Sequence, residues 1–266
     1  MKIYRISLII VLAFIVSNVY SLSPDDDKKQ NEKKVYNLEV IVEVPYTPIK
    51  NQQRTGTCWA YATTSFVEAE LLRMGKGEHD LSEMFFVRHA YNAKAKKYVR
   101  NHGMGNFSQG GQAHDVINVI RDFGFIPEEF YGGNNYGGKV HNHSEMVSML
   151  KGMLDGLVKS KGKDGISLQW SDAFDAVLKS YMGEVPETFQ YKDKKVSSDS
   201  FAGRELSFNP DDYIEITSVL DEPFYELYSL EVPDNWSNDL YYNVPLEDLM
   251  TIINNALKQG YSVCWD

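Results

Sequence analysis

A cysteine at the start of a predicted helix is the side chain of this sequence best suited to covalent chemistry. Residues 51–61 read NQQRTGTCWAY, so Cys58 follows a glycine-containing turn and opens a segment with helical apolar periodicity. A helix N-terminus presents unpaired N–H groups and a partial positive charge, and both favour a thiolate over a thiol. Because the thiolate is the nucleophilic form of cysteine, this placement predicts a reactive residue.

A glutamine in the preceding turn supplies a second group with a chemical use. Gln52 lies six residues before Cys58, and its amide and the backbone N–H of Cys58 could together form an oxyanion hole. Gly56 lets the backbone turn tightly and keeps the thiolate approachable. The alternative is that Cys58 is a small buried apolar residue and Gln52 an ordinary loop residue, which is the commoner situation for an arbitrary cysteine before a helix.

The joint pattern resembles the active-site signature of the papain superfamily of cysteine peptidases. It consists of Gln52, Cys58 and Trp59 at a helix start, with a glycine two residues before the cysteine. Further segments are similar to the branch of bleomycin hydrolase and aminopeptidase C and occur in that branch's order: LSEMFFVR at 81–88, GGQAH at 110–114, VPDNW at 232–236 and YYNVPL at 241–246. The resemblance covers roughly residues 38–266.

The resemblance implies a role for each matching residue. Cys58 matches the nucleophile and Gln52 the oxyanion-hole glutamine, while Trp59 matches a residue packed behind the nucleophile at the substrate site. Gly110 and Gly111 match a glycine pair whose backbone binds an extended peptide substrate. The implied activity is that of a peptidase, in particular an aminopeptidase, which forms a thioester and needs no metal or other cofactor. The branch also implies a homo-hexamer.

The general base is the part of the family's active site for which the sequence offers no match. In the family, the catalytic histidine and its asparagine lie in a β-rich half that follows the strand matched by residues 260–265. None of the six histidines matches that position. We therefore expect the β-rich half to be truncated in this chain, which would then hydrolyse peptides negligibly. The alternative function is that of a non-catalytic fragment, a degenerate homologue or a binding scaffold.

Other candidate residues have weaker patterns. His114 follows the glycine pair but matches a helix position of the family. His141 and His143 could suggest a metal, but a pair in a polar loop lacks the further ligands of a zinc site. Cys264 lies in an apolar segment and is expected in the core; a disulfide between Cys58 and Cys264 is the alternative, and it would abolish activity.

The predicted elements give an α+β, papain-like fold in which helices position the nucleophile. Apolar spacing and capping residues predict helices at 58–74, 82–99, 113–123, 145–159, 170–182, 211–218 and 246–257, irregular structure at 184–200, and a strand beginning at 261. The predicted organisation is a signal peptide (1–21), a disordered linker (22–37), a helical nucleophile subdomain (38–139), a helical insertion (140–258) and the start of the β subdomain (259–266).

The N-terminus and the overall charge indicate compartment and partners. Lys2 and Arg5 precede an apolar run at 6–16, and small residues follow, so we predict a signal peptide cut after Ser21 and a secreted or periplasmic protein without a stable membrane span. The alternative is an uncleaved N-terminal anchor. The formal net charge of −10 argues against nucleic acid as a partner.

Overall fold

A computed structural model describes residues 37–160 and 165–265 of the chain. The predicted signal peptide and nearly all of the predicted linker lie outside the described residues. The chain divides into two units, Met1–Ile41 and Val42–Asp266, and all helices and strands given below belong to the second.

The described residues contain seven α-helices. In chain order they are α1 (Cys58–Arg73), α2 (Glu83–Arg100), α3 (Ala113–Phe123), α4 (Ser144–Ser160), α5 (Gln169–Met182), the short α6 (Ser198–Ser200) and α7 (Leu246–Lys258). The first five contact one another around α2, and their apolar faces form the core. Burying these faces provides the main driving force for folding, about 25 cal/mol per Å² of apolar surface.

Local signals set the ends of the helices that position the site. The Oγ of Ser82 accepts a hydrogen bond from the N–H of Phe85 (3.1 Å) and thereby caps α2. Gly124 ends α3 with a φ of 73°, a backbone conformation that glycine adopts without steric cost. The predicted boundaries of these two helices are therefore confirmed to within two residues.

Short strands lie between the helices. A hairpin joins β1 (Phe189–Tyr191) to β2 (Lys194–Val196). A second sheet has the order β3–β5–β4, in which β3 (Ile216–Thr217) runs parallel and β4 (Glu226–Ser229) antiparallel to the central β5 (Leu240–Asn243).

Three predicted elements are wrong. Residues 184–200, predicted to be irregular, contain the hairpin; the helix predicted at 211–218 is a 3-10 turn (Pro210–Asp212) followed by β3; and 261–265 belong to no strand. Short segments carry too few periods to reveal their pairing partners, such as Tyr242 opposite Ile216. The segment 140–258 thus holds five strands as well as helices.

The fold class is α+β, as predicted, with helices forming the layer behind the site. Of the helices in the part of the chain that the structure describes, none combines the length and the hydropathy that crossing a membrane requires.

Candidate active site

Cys58 is the first residue of α1, and its side chain is exposed. Thr57 occupies the N-cap position without a side-chain hydrogen bond to the helix. The first N–H groups bonded to the Thr57 carbonyl are those of Ala60 (3.0 Å) and Tyr61 (3.3 Å), and the N–H of Cys58 makes no hydrogen bond within the described residues. The exposed thiol and an unpaired donor therefore share the positive end of a helix.

The turn before Cys58 is held by its own hydrogen bonds. The Nε2 of Gln52 donates to the Thr55 carbonyl (2.5 Å), and the Oγ1 of Thr55 donates to the Gln52 carbonyl (2.8 Å). An amide nitrogen carries two hydrogens, so this bond engages one of them. The fold places Gln52 in the nucleophile turn, and its role in an oxyanion hole stays a prediction.

A loop ahead of α4 contacts the outer side of this turn. The N–H of Arg54 donates to the His141 carbonyl (3.0 Å), and the Oε1 of Gln53 accepts from the N–H of His141. His143 is buried, and its Nδ1 lies 3.1 Å from the hydroxyl of Tyr91. Sequence reasoning did not foresee this contact, because no local pattern links residue 141 to residue 54.

Burial decides the charge of these two histidines. Desolvation, reinforced by the proximity of His141, lowers the pKa of His143 to about 4, and desolvation also lowers the pKa of His141. Both are therefore neutral near pH 7. No cluster of three or more His, Cys, Asp or Glu side chains suited to a metal occurs among residues 37–160 and 165–265.

Trp59 supports the glycine pair from behind. Its side chain is 4% exposed, and its Nε1 donates to the Gln109 carbonyl (2.9 Å). A Cβ on Gly111 would lie 2.9 Å from the indole, so only glycine permits this approach. Because Trp59 is buried, any effect of this residue on substrate binding is indirect.

Gly111 itself presents backbone groups without partners. It is buried, yet neither its N–H nor its C=O makes a hydrogen bond within the residues that the structure describes. Buried backbone groups are nearly always paired in native proteins. An unpaired donor and acceptor on one residue of an irregular segment are suited to binding an extended backbone.

The segment 232–236 packs on the glycine pair. A Cβ on Gly110 would lie 2.3 Å from Oδ2 of Asp234, and Oδ1 of Asp234 accepts from the side-chain amide of Asn106 (3.0 Å). Trp236 donates from Nε1 to Oδ2 of the buried Asp115 (2.9 Å). The motifs at 110–114 and 232–236, more than a hundred residues apart in the chain, thus pack against each other.

His114 and Cys264 each contact another side chain of the fold. The Nδ1 of His114 lies 2.7 Å from Oε2 of Glu215; burial lowers its pKa, but the hydrogen bond and charge of Glu215 outweigh burial and raise it. The Sγ of Cys264 lies 3.7 Å from Oγ1 of Thr63. Cys264 is half-buried, so its predicted core position is wrong, and the structure has no disulfide between Cys58 and Cys264.

Comparison with protein families and curated proteins gives consistent matches. The family model described as "Peptidase C1-like family" matches residues 86–266, a range that includes the glycine pair and begins after Cys58. Aminopeptidase W of Lactobacillus delbrueckii subsp. lactis is 21% identical, with 85% of this chain and 60% of that protein covered. Cysteine proteinase 1, mitochondrial, of Saccharomyces cerevisiae is 20% identical, with 88% and 57% covered.

A solved structure shows the same fold. The crystal structure of PepW from Lactobacillus rhamnosis HN001 superposes with a TM-score of 0.68 at 18% identity, covering 85% of this chain and 59% of that one. The chain thus spans about three fifths of the length of the relatives it matches. These matches confirm the resemblance inferred from the motifs. The chain belongs to the Peptidase C1-like family, in the bleomycin hydrolase and aminopeptidase C branch of the papain superfamily.

Proposed function

We propose that the protein containing this chain is a cysteine peptidase with Cys58 as its nucleophile. One juxtaposition carries the proposal: the exposed thiol of Cys58 begins α1, and the next residue, Trp59, packs directly against Gly111. The buried indole of Trp59 thus lies between the nucleophile Cys58, its neighbour in the chain, and the unpaired N–H and C=O of Gly111, which it contacts. This arrangement is suited to an extended peptide whose carbonyl reaches the thiol.

The chemistry follows from these groups. The thiolate of Cys58 attacks the scissile carbonyl carbon, and the carbonyl π electrons move to its oxygen. The Cys58 N–H and the second hydrogen of the Gln52 amide donate to that oxyanion. Collapse of the tetrahedral intermediate forms the thioester and expels the amine, which takes a proton from a general acid. Water then hydrolyses the thioester and regenerates the thiol.

The general acid and base is a histidine that we place outside the described residues. His114 is engaged by Glu215, and His143 is buried against Tyr91 and neutral near pH 7. Neither hydrogen-bonds to Cys58, as an imidazole that activates a thiol must do. The chain as printed is therefore expected to react at its thiol and to turn over peptides negligibly.

The substrate class and the cellular setting complete the proposal. Two relatives are named aminopeptidase W and aminopeptidase E; the latter, from Lactobacillus helveticus, is 23% identical over 93% of this chain and 64% of that protein. We accordingly propose peptides with free amino termini as substrates. Export through the signal peptide predicted to end at Ser21, catalysis without a metal, and assembly as a homo-hexamer rest on the sequence patterns and the family resemblance.

A labelling experiment tests the nucleophile. The printed chain without residues 1–21 and the complete product of its gene are each treated with an E-64-type epoxide at neutral pH, and the adduct is located by mass spectrometry. We expect modification at Cys58, none in Cys58→Ser, and normal modification in the matched control Cys264→Ser. A complete product that stays unlabelled at Cys58 contradicts the proposal.

A hydrolysis assay separates the two functions that the sequence allows. The complete gene product is offered a peptide with a free amino terminus and the same peptide acetylated. Release of the first residue from the free peptide alone supports the aminopeptidase. Peptide binding without cleavage, in a protein whose Cys58 can still be labelled, supports the non-catalytic alternative.

A further inference from the structure

A fully buried lysine lies beneath the glycine pair. Lys94 is on α2, its exposed fraction is 1%, and its Nζ donates to the carbonyls of Ser108 (3.3 Å) and Gly110. Lys94 lies outside the sequence motifs and takes part in none of the proposed chemical steps. An ammonium group costs free energy to bury, so its contribution to the fold depends on the groups that it binds.

Lys94 and Trp59 together fix three consecutive peptide carbonyls. Lys94 binds those of residues 108 and 110, and the Nε1 of Trp59 binds that of Gln109 between them (2.9 Å). Each bond sets the orientation of one peptide plane. The next residue is Gly111, the one with the unpaired N–H and C=O. The peptide plane that holds the Gly110 carbonyl also holds the N–H of Gly111, so the bond from Lys94 sets the direction of that N–H.

The surroundings of Lys94 are aromatic and acidic. Its Nζ lies 5.5 Å, 5.9 Å and 5.8 Å from the ring centroids of Trp59, Tyr91 and Trp236. Burial lowers the pKa of Lys94 to about 8, because desolvation outweighs the attraction of Asp115 and Asp234. The side chain is therefore largely charged at pH 7, and a charged donor makes stronger hydrogen bonds to carbonyls than a neutral one.

We propose that Lys94 is a positioning residue for peptide substrates: by holding the carbonyls of Ser108 and Gly110, it orients the backbone of Gly111 to pair with the substrate backbone. This inference rests on the proposed function. Lys94 touches neither the thiol nor the scissile bond and acts through residues 108–111.

Two alkylating probes of Cys58 separate positioning from general stability. Iodoacetamide is small and reports on the thiol alone, whereas a dipeptidyl chloromethyl ketone with a free amino terminus also needs the backbone of Gly111. In Lys94→Met, we expect the dipeptidyl rate to fall by about tenfold, the effect of one or two lost hydrogen bonds, and the iodoacetamide rate to stay within about twofold. Lys94→Arg restores donors and is expected to recover part of the dipeptidyl rate.

Lys96→Met is the matched control, because Lys96 is an exposed lysine on the same helix; neither rate is expected to change. If Lys94→Met does not fold, Lys94→Gln is used, whose amide is expected to lower the dipeptidyl rate selectively but less. Equal loss of both rates, or no loss, overturns the positioning role. A wild-type chain that neither probe labels at Cys58 instead contradicts the proposed function.

Discussion

Lys50, half-buried in the segment before the nucleophile turn, and Lys94, fully buried on α2, have surroundings that shift their pKa values in opposite directions. Lys50 contacts the carboxylates of Glu68 (2.9 Å), Asp80 (2.6 Å) and Glu83 (2.9 Å). Burial alone lowers the pKa of Lys50, but the charge of Glu83 and the hydrogen bonds to the three carboxylates raise it above its usual value. Lys94 instead binds neutral carbonyls among aromatic rings, and its pKa falls.

The difference shows that the partners of a lysine, and not burial alone, decide what it contributes. Lys50 neutralises Glu68 and Glu83, whose side chains are 1% and 5% exposed, and so joins the segment before the nucleophile turn to α1 and α2. Its role is to hold the framework. Lys94 is only weakly compensated, and it orders a short stretch of backbone that packs against Trp59, the residue after Cys58.

The largest expected effect is the loss of Lys50. Lys50→Met leaves two buried carboxylates without a counter-ion, and removing one partner of a buried ion pair costs about 3–5 kcal/mol of unfolding free energy. Urea unfolding at pH 7 measures this cost. Lys179→Met is the control, since its pair with Glu184 is exposed and worth less than about 1 kcal/mol. Equal effects of the two substitutions would remove the distinction between Lys50 and a surface lysine.

A smaller, pH-dependent effect is expected for Lys94. The folded-state pKa of about 8 lies below the usual 10.5, so the unfolded chain binds more protons between these values. Stability from this group therefore rises with pH across this window, by up to about 1.4 kcal/mol per unit. The stability difference between wild type and Lys94→Met should be small at pH 7 and grow in favour of the wild type from pH 8 to 10.5.

The stability difference between wild type and Lys50→Met, measured over the same pH range, should not grow between pH 8 and 10.5. The raised pKa of Lys50 keeps its contribution fully present up to about pH 10.5, and the contribution declines only above that value. If the stability differences of Lys94→Met and Lys50→Met from wild type changed in parallel between pH 8 and 10.5, Lys94 and Lys50 would not differ as their surroundings indicate.

The smallest effect is expected for Asp80, the exposed one of the three carboxylates that contact Lys50. The Asp80 side chain is 70% exposed, so solvent screens its short contact with Lys50. We expect Asp80→Asn to change the unfolding free energy by less than about 1 kcal/mol. Thermal or urea unfolding beside Lys50→Met measures it; a loss as large as that of Lys50→Met would show that the cluster depends on all its members equally.

Much of the helical framework was predictable from sequence. The six long helices, α1–α5 and α7, appear where apolar periodicity and end signals such as Ser82 and Gly124 predict them. These signals act within one or two helical turns. The strands were missed because β3 needs β5, some 25 residues later, before it becomes a strand. The placement of Cys58 at a helix start agrees with the sequence prediction, whereas the contact of Trp59 with Gly111 was not predicted.

The sequence by itself determined the nucleophile's position at the end of a helix and the family to which the chain belongs. Only the tertiary structure decided which groups surround the glycine pair: Lys94 from below, and Asp234 and Trp236 from a segment more than a hundred residues away. The physical reason is one of range. Capping and helical periodicity act between neighbours in the chain, whereas the desolvation and pairing of a buried charge depend on every element packed around it.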